Sequence, residues 1–405
     1  MSPFLDALLL QAGYNAALVG IGAGLLGFAA GSSGTFLFLR KRALVSDAVA
    51  HATLPGVGLA FIVMVALGGD GRSLAGLLIG SAVTAWIGLM LIEWITRRTR
   101  LAEDAAIGAV LGVFFGLGIV LLTVIQTMSA GRQAGLEGFL LGSTAGMLFE
   151  DAIIIAVGGS VAVFATWLLR RPMTLVAFDP DYAAALGYDV RRIDLMMMGL
   201  AMAVTVIGLK LVGLILIVAM LIIPSVTARF WTERAHHVVW IAGGIGGVSG
   251  YVGAAISASA PSMPTGPVIV LVAAGAFAIS LLFAPVRGVV ASLLRHRRFQ
   301  VRVHRRQGLL ALAHQHPIRE PFTLRLLARE GLVRADGVAT QAGRAQAAKV
   351  SRDERRWAIA REIHQDAGLT GRYDGLTPIE EVFTADEIGE FDRRLGAPVG
   401  LGGGS

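Results

Sequence analysis

Cysteine is absent from this 405-residue sequence, and charged residues make up only 16% of it. Without cysteine there is no disulfide framework, no thiolate metal site and no cysteine nucleophile. So few charges, against 55% hydrophobic residues, argue against a soluble globular protein. The Gly-Lys pair of a P-loop is missing as well, and no Ser/His/Asp pattern indicates a hydrolase. The chain is therefore not predicted to be an enzyme, and transport is the function class that remains.

The charges are unevenly distributed along the chain. Residues 301–396 hold 16 Lys or Arg and 14 Asp or Glu, which leaves 33 charged residues for the first 300 positions. This contrast predicts a transmembrane domain at 1–290, a basic linker at 291–300 and a cytosolic domain at 301–396. The glycine-rich end, 397–405, resembles an artificial linker.

Nine apolar runs are long enough to cross a membrane, which takes roughly 20 residues as a helix. They lie near residues 14–39, 43–67, 74–96, 105–127, 150–169, 192–209, 211–230, 238–258 and 266–285. Basic residues cluster in alternate loops, for example at Arg40–Arg42 and Arg170–Arg171, which predicts a cytoplasmic location for those loops and an external N-terminus. Around Lys210 two runs are separated by only a few residues, so the chain must turn sharply or a helix must break.

Asp47 and His51 are the most informative residues. They stand four apart in the segment SDAVAHATLPG, residues 46–56, so on a helix their side chains share one face. Both are expected inside an apolar span, where an ionisable pair is costly unless it is paired, hydrated or metal-bound. A carboxylate and an imidazole are half of a ligand set for Mn²⁺ or Zn²⁺, and a second subunit would supply the other half. The alternative is a neutral histidine, bonded to Asp47, that only packs two helices together.

A short segment between two predicted spans has the features of a capped surface helix. In DPDYAAALG, residues 179–187, Asp179 can cap the helix, Pro180 suits its first turn and Gly187 can end it. Such a helix on the membrane surface is a docking element for another protein or, alternatively, a simple connector.

These residues resemble the ABC-3 family of manganese, zinc and iron permeases. The resemblance covers about residues 13–285. Its motifs are the basic loop with SDAVAHATLPG at 36–58, LEGFLLG at 136–142, DPDYAAALG at 179–187, and LKLVGLILIV with LIIPSVTAR at 209–229. The family's metal-binding Asp and His fall on Asp47 and His51. Its ATPase-coupling helix falls on Asp179, Tyr182, Ala183, Ala184, Ala185, Leu186 and Gly187. Ser46 stands where many members have glycine.

The resemblance implies an all-α polytopic membrane protein, similar to type II ABC importers, in the bacterial inner membrane. It implies a transported ion, with Mn²⁺ favoured over Zn²⁺ or Fe²⁺, and no permanently bound cofactor. The implied partners are a cytosolic ABC ATPase, a periplasmic or surface metal-binding protein and a second permease, identical or paralogous, besides membrane lipids. A siderophore or chelate importer of the same fold, or a membrane-anchored metal-responsive regulator, are the alternatives.

The C-terminal region resembles the winged-helix domains of iron- or manganese-dependent repressors. Two amphipathic helical patterns precede a predicted strand–turn–strand hairpin at 331–340, with Asp336-Gly337 at the turn. The motifs are LLAREGLVR at 326–334, TQAGRA at 340–345, RRW at 355–357 and, as a fold match only, TPIEEV at 377–382. The repressors' later metal-ligand residues are not evident. Because the charge is nearly balanced, an interaction or regulatory module is predicted here and DNA binding is not.

Overall fold

The computed structural model describes residues 3–69, 71, 73–128, 147, 149–260, 263–334, 336–363 and 375–396. The chain divides into two compact units, Met1–Ala291 and Ser292–Ser405. The predicted external loop around Ser143, the motif at 136–142 and the tail at 397–405 lie outside the described residues.

The first unit is helical throughout its described part. Its helices are α1 (Pro3–Leu8), α2 (Tyr14–Leu39), α3 (Ala43–Ala66), α4 (Leu74–Arg98), α5 (Glu103–Thr127), α6 (Phe149–Phe178), α7 (Pro180–Ala185), α8 (Val190–Val212), α9 (Leu214–Arg229), α10 (Ala235–Ala258) and α11 (Thr265–Phe283). Helix α2 is central, because it packs against α6, α8, α9 and α10, whereas α3 packs mainly against α4 and α5. The described part of this unit is therefore all-α, and the length and apolarity of its helices make the chain a multi-pass membrane protein.

Eight of the described helices are long and apolar enough to cross a membrane, compared with the nine spans predicted. The difference is at α9, a 16-residue apolar helix that falls short of a full span. Helices α8 and α9 meet at Gly213, whose φ of 81° is readily adopted only by glycine. The predicted break near Lys210 is thus located at Gly213. Helix α6 also differs, because it continues through Pro172 to Phe178, so the predicted loop at Arg170–Arg171 is helical.

Close backbone contacts hold α2 against its neighbours. A methyl group on Gly246 of α10 would overlap the carbonyl oxygen of Gly27, and one on Gly34 would overlap that of Leu221 in α9. Gly56 of α3 and Gly80 of α4 approach each other in the same way. Only glycine permits such contacts, which explains much of the high glycine content of the spans.

The second unit contains most of α12 (Val289–Ala313), then α13 (Pro321–Arg329), α14 (Gln341–Ile363), a 3₁₀ turn at Ile379–Glu381 and α15 (Ala385–Gly396). One core lies around Leu309 and Leu327, and a second core lies around Trp357, Phe383 and Phe391. The described part of this unit is therefore stabilised by two separate apolar clusters.

One sequence prediction for this region needs correction, namely the hairpin at 331–340, and the domain division stays a prediction. The segment 291–300, expected as a linker, is helical and belongs to α12. The predicted hairpin strands are reduced to a single bridge between Val333 and Ala339, with the Arg334 N–H donating to the Val338 carbonyl, and the described residues contain no strand. The turn is formed, but too few residues pair for strands to extend from it. The winged-helix assignment stays a prediction.

Candidate functional site

Asp47 and His51 lie on the first half of α3, one helical turn apart. The His51 Nε2 atom is 3.5 Å from Asp47 Oδ1. Two ligand atoms bound to one metal ion at roughly 2.0–2.2 Å are separated by about 3.0–3.5 Å. The observed spacing therefore suits joint binding of a cation without movement of the helix backbone. The spacing predicted from the sequence is present in the structure.

The surroundings of the two side chains differ. The His51 side chain is 18% exposed and its ring makes an edge contact with Phe115 of α5, with centroids 5.0 Å apart. The Asp47 side chain is 41% exposed. The pair thus lies at the surface of the described unit, with the carboxylate on the outer side and the imidazole wedged between α3 and α5.

His51 also has a buried polar atom without a partner among the described residues, because Nδ1 neither donates nor accepts a hydrogen bond there. Such a group costs about 1–3 kcal/mol when it is left unsatisfied, so its presence in an apolar helix needs a reason. Four residues later, Pro55 has no N–H to donate to the His51 carbonyl, although the helix continues through it.

Within the part of the chain that the structure describes, Asp47 and His51 are the only candidate ligands at this position. No group of three or more His, Asp or Glu side chains that could hold a metal ion occurs within the described ranges. A closed metal site therefore needs donors from elsewhere, such as water or a second subunit.

The helix predicted at residues 179–187 is formed as α7, with the predicted caps. Asp179 accepts a hydrogen bond from the Tyr182 N–H at 2.9 Å, Pro180 is the first helical residue, and Gly187 follows the end with a φ of 86°. Each of these residues satisfies a requirement of a helix terminus.

One side of α7 is anchored and the other is open. Ala183 is fully buried in a cluster with Met173 and Val176 of α6 and Ile193 of α8. Tyr182 and Leu186 are each 55% exposed, and Ala184, Ala185 and Gly187 are exposed as well. The helix is thus fixed on one side by Ala183, and its other side presents a partly apolar surface.

An ion-pair cluster, which the sequence did not reveal, joins the start of α3 to α5 and α8. Arg40 donates two hydrogen bonds to the buried Asp194, at 3.0 and 3.2 Å. Arg42 lies 3.3 Å from Asp194 and 2.8 Å from Glu103. Three helix ends next to the candidate site are therefore joined by ion pairs, which no local sequence pattern indicated.

A second charged contact of the same kind joins α4 to α8. The buried Glu93 pairs with Arg97 of its own helix and lies 3.6 Å from Arg191 of α8. Both arginines thus neutralise a buried carboxylate.

Comparison with known proteins identifies relatives of the first unit. The MntC manganese transport system membrane protein of Bacillus subtilis (strain 168) is 42% identical over 292 residues, which are 72% of this chain and 66% of that protein. The chain thus spans just under two thirds of that relative. The TroC zinc transport system membrane protein of Treponema pallidum (strain Nichols) is 37% identical over 285 residues, which are 70% of this chain and 94% of TroC.

A solved structure has the same fold. In PsaBC from Streptococcus pneumoniae in complex with Fab, one chain matches with a TM-score of 0.61 and 31% identity, over 70% of this chain and 96% of that one. The ABC 3 transport family matches residues 13–284, which contain α3 with Asp47 and His51 and the whole of α7. This chain belongs to the ABC 3 transport family.

Proposed function

We propose that this chain is the permease subunit of an ATP-binding-cassette importer for divalent transition metal ions, with Asp47 and His51 as its intramembrane metal-binding residues. The observation that carries the proposal is the Asp47–His51 pair, 3.5 Å apart on an apolar helix, with the histidine Nδ1 unpartnered among the described residues. Relatives named as manganese and zinc transport proteins support the substrate class. Such a permease is not an enzyme; a separate ATPase hydrolyses ATP.

The exposed Asp47 favours a site completed by a second permease copy or a paralogue. A carboxylate facing hydrocarbon is costly, so it must be covered by protein, water or metal in the membrane. Two facing α3 helices would provide two carboxylates and two imidazoles, which is a full tetrahedral set, and water could extend it to six ligands for Mn²⁺. Mn²⁺ is favoured by the larger number of manganese-named relatives, and the same donors accept Zn²⁺ or Fe²⁺.

The proposed transport function needs one partner protein on each side of the membrane. Helix α7, with Tyr182 and Leu186 outward, is proposed to dock the cytosolic ATPase. A metal-binding protein outside the cell membrane would deliver the ion. We place the complex in the bacterial inner membrane. The C-terminal unit would then lie in the cytoplasm. It would serve there as a regulatory or interaction module of winged-helix type.

The test of the metal site is uptake by the complete complex in proteoliposomes. Asp47→Asn and His51→Ala each remove one ligand, and we expect uptake of radiolabelled Mn²⁺ to fall to near background. Even a partner that only orients a ligand is worth about 10–100-fold in affinity, and losing the ligand itself costs more. Uptake is normalised to the amount of permease inserted in the membrane.

Matched variants separate ligand loss from misfolding. Asp104→Asn, on an exposed residue of α5, and His237→Ala, at the start of α10, make the same chemical changes elsewhere and should transport normally. Asp47→Glu keeps a carboxylate and should retain measurable uptake. Near-normal uptake in both Asp47→Asn and His51→Ala would contradict the assignment.

The docking role of α7 predicts a different defect. Ala184→Asp places a charge on the exposed side of α7, so ATP hydrolysis should no longer drive uptake, while the variant still inserts and still binds metal. Ala102→Asp, on an exposed residue before α5, is the matched control. Normal coupled transport by Ala184→Asp would place the ATPase contact elsewhere.

A further inference from the structure

The first half of α12 is a basic amphipathic helix with no assigned partner. It begins six residues after α11 ends at Phe283, beyond a turn in which the Gly288 N–H donates to the Ala284 carbonyl at 2.9 Å. No Asp or Glu occurs between Glu233 and Glu320, so every formal charge on this helix is positive. Residues 289–302, named here the basic segment, carry four of its arginines.

The basic segment is two-sided. At about 100° per residue, Val289, Val290, Leu293, Leu294 and Val301 fall within an arc of roughly 140°. Arg295, Arg298 and Arg302 fall opposite, together with one exposed apolar side chain, Phe299. Arg297 lies within the apolar arc, where a long side chain can extend its charge toward water. This distribution is typical of helices that lie in the plane of a membrane surface.

The apolar side chains of the basic segment are exposed in the described part of the chain. Leu293 is 59% exposed, Leu294 is 50% exposed and Val289 is 42% exposed. The arginines Arg297, Arg298 and Arg302 are exposed too, and none of the three forms an ion pair within the part of the chain that the structure describes.

The second half of the same helix provides a contrast. Arg305 pairs with Glu330 at 2.7 Å, Arg306 pairs with Glu354 at 2.6 Å, and Leu309 is buried in the core of the second unit. The later arginines therefore stabilise the fold. The basic segment instead presents an apolar stripe together with Arg297, Arg298 and Arg302, which form no ion pair with the described residues. Nucleic acid would suit the charge but would leave the valines and leucines uncovered.

We propose that the basic segment lies on the membrane and binds anionic phospholipid, with its apolar arc among the acyl chains and its arginines at the phosphates. This surface matches both halves of such a lipid and follows directly after the last span. The interaction does not depend on which substrate the permease carries.

The absence of cysteine makes the test direct, because one introduced cysteine is the only labelling site. Spin labels are placed at Leu293→Cys, on the apolar arc, and at the adjacent Ser292→Cys, which lies about 100° away outside it. The full-length chain is studied in nanodiscs of phosphatidylcholine with or without one part in three of phosphatidylglycerol. Accessibility to oxygen reports the acyl chains, and accessibility to a water-soluble nickel complex reports water.

We expect the Leu293 label to be several-fold more accessible to oxygen than to nickel in phosphatidylglycerol discs, and the Ser292 label to show the reverse. Adding R297Q, R298Q and R302Q should make the Leu293 label accessible to the nickel complex. Adding R325Q, R329Q and R334Q, which remove the same charge from exposed positions of the second unit, should leave the label's accessibility unchanged.

Three results would overturn the proposal. The first is a Leu293 label open to nickel in phosphatidylglycerol discs. The second is a label shielded from both agents, which would mean a protein contact. The third is protection from nickel that needs neither phosphatidylglycerol nor the three arginines, which would mean apolar insertion without recognition of anionic lipid.

Discussion

The main contact between α2 and α10 in the first unit differs in kind from the contact around Trp357 in the second. In the membrane unit, α2 meets α10 through backbone atoms, with Gly27 against Gly246 and Gly31 against Ala242. In the second unit, Trp357 is fully buried against Phe383, with ring centroids 5.5 Å apart, and Arg356 holds Asp392 at 2.5 Å.

The difference follows from the solvent of each unit. Lipid tails are as apolar as leucine side chains, so helices in a membrane gain little from apolar burial and associate through close packing. In water, burying an aromatic side chain is itself stabilising, and ion pairs can be formed at the edges of the core. Substitutions of glycines in the first unit and of ion-paired residues in the second therefore test how much each kind of contact stabilises its unit.

The largest expected effect comes from filling a backbone contact in the membrane unit. In Gly246→Val the side chain would overlap the Gly27 carbonyl, which cannot move without displacing α2, so we expect a loss of more than about 3 kcal/mol or no folded protein. Gly244→Val, on the same helix but with no atom within 4 Å of the added carbon, is the control. The thermal unfolding midpoint in detergent measures both. Equal midpoints would mean that α2 and α10 tolerate separation.

The smallest effect concerns a surface ion pair in the second unit. Hydrogen bonds from Arg356, at 2.7 and 2.5 Å, lower the pKa of Asp392 below its ordinary value of 3.8. Because the pKa is lower in the folded chain than in the unfolded chain, the pair stabilises the fold above pH 3.8 and this contribution is lost as the pH falls below it. Since Asp392 is partly exposed, the contribution is below about 1 kcal/mol.

Asp392→Asn should therefore lower the stability of the second unit at neutral pH and reduce its loss of stability in acid. Hydrogen exchange of α14 and α15 in the full-length chain measures the effect, with Asp386→Asn as the control. Burial raises the pKa of Asp353, so this residue makes the fold more stable in acid, opposite to the effect of Asp392. Because Asp353 is present in every variant, it does not affect the comparison. An unchanged acid dependence in Asp392→Asn would show that another carboxylate controls it.

Local features were predictable because they depend on neighbours in sequence. The four-residue spacing of Asp47 and His51 determined that they share a helix face, and Asp179, Pro180 and Gly187 determined the ends of α7. Each of these predictions used one or two helical turns, over which backbone geometry is regular.

Features that depend on distant contacts were not predictable. The pairing of Arg40 with Asp194 joins residues 154 positions apart, and no local pattern records it. The ninth span fell short because the break occurs at Gly213, which leaves α9 only 16 residues. Similarly, Asp336 and Gly337 indicated a turn, but how far the flanking strands pair depends on packing that a turn motif does not specify.

The most direct test of the central claim is the electron spin echo of Mn²⁺ bound to the assembled complex. An imidazole ligand modulates the echo through its ¹⁴N nuclei, so the wild-type permease should give a nitrogen signal. His51→Gln should abolish this signal, and His237→Gln should keep it. Because residues 236 and 237 are adjacent histidines, the control also detects adventitious binding there. A nitrogen signal that persists in His51→Gln would contradict the assignment of His51 as a metal ligand.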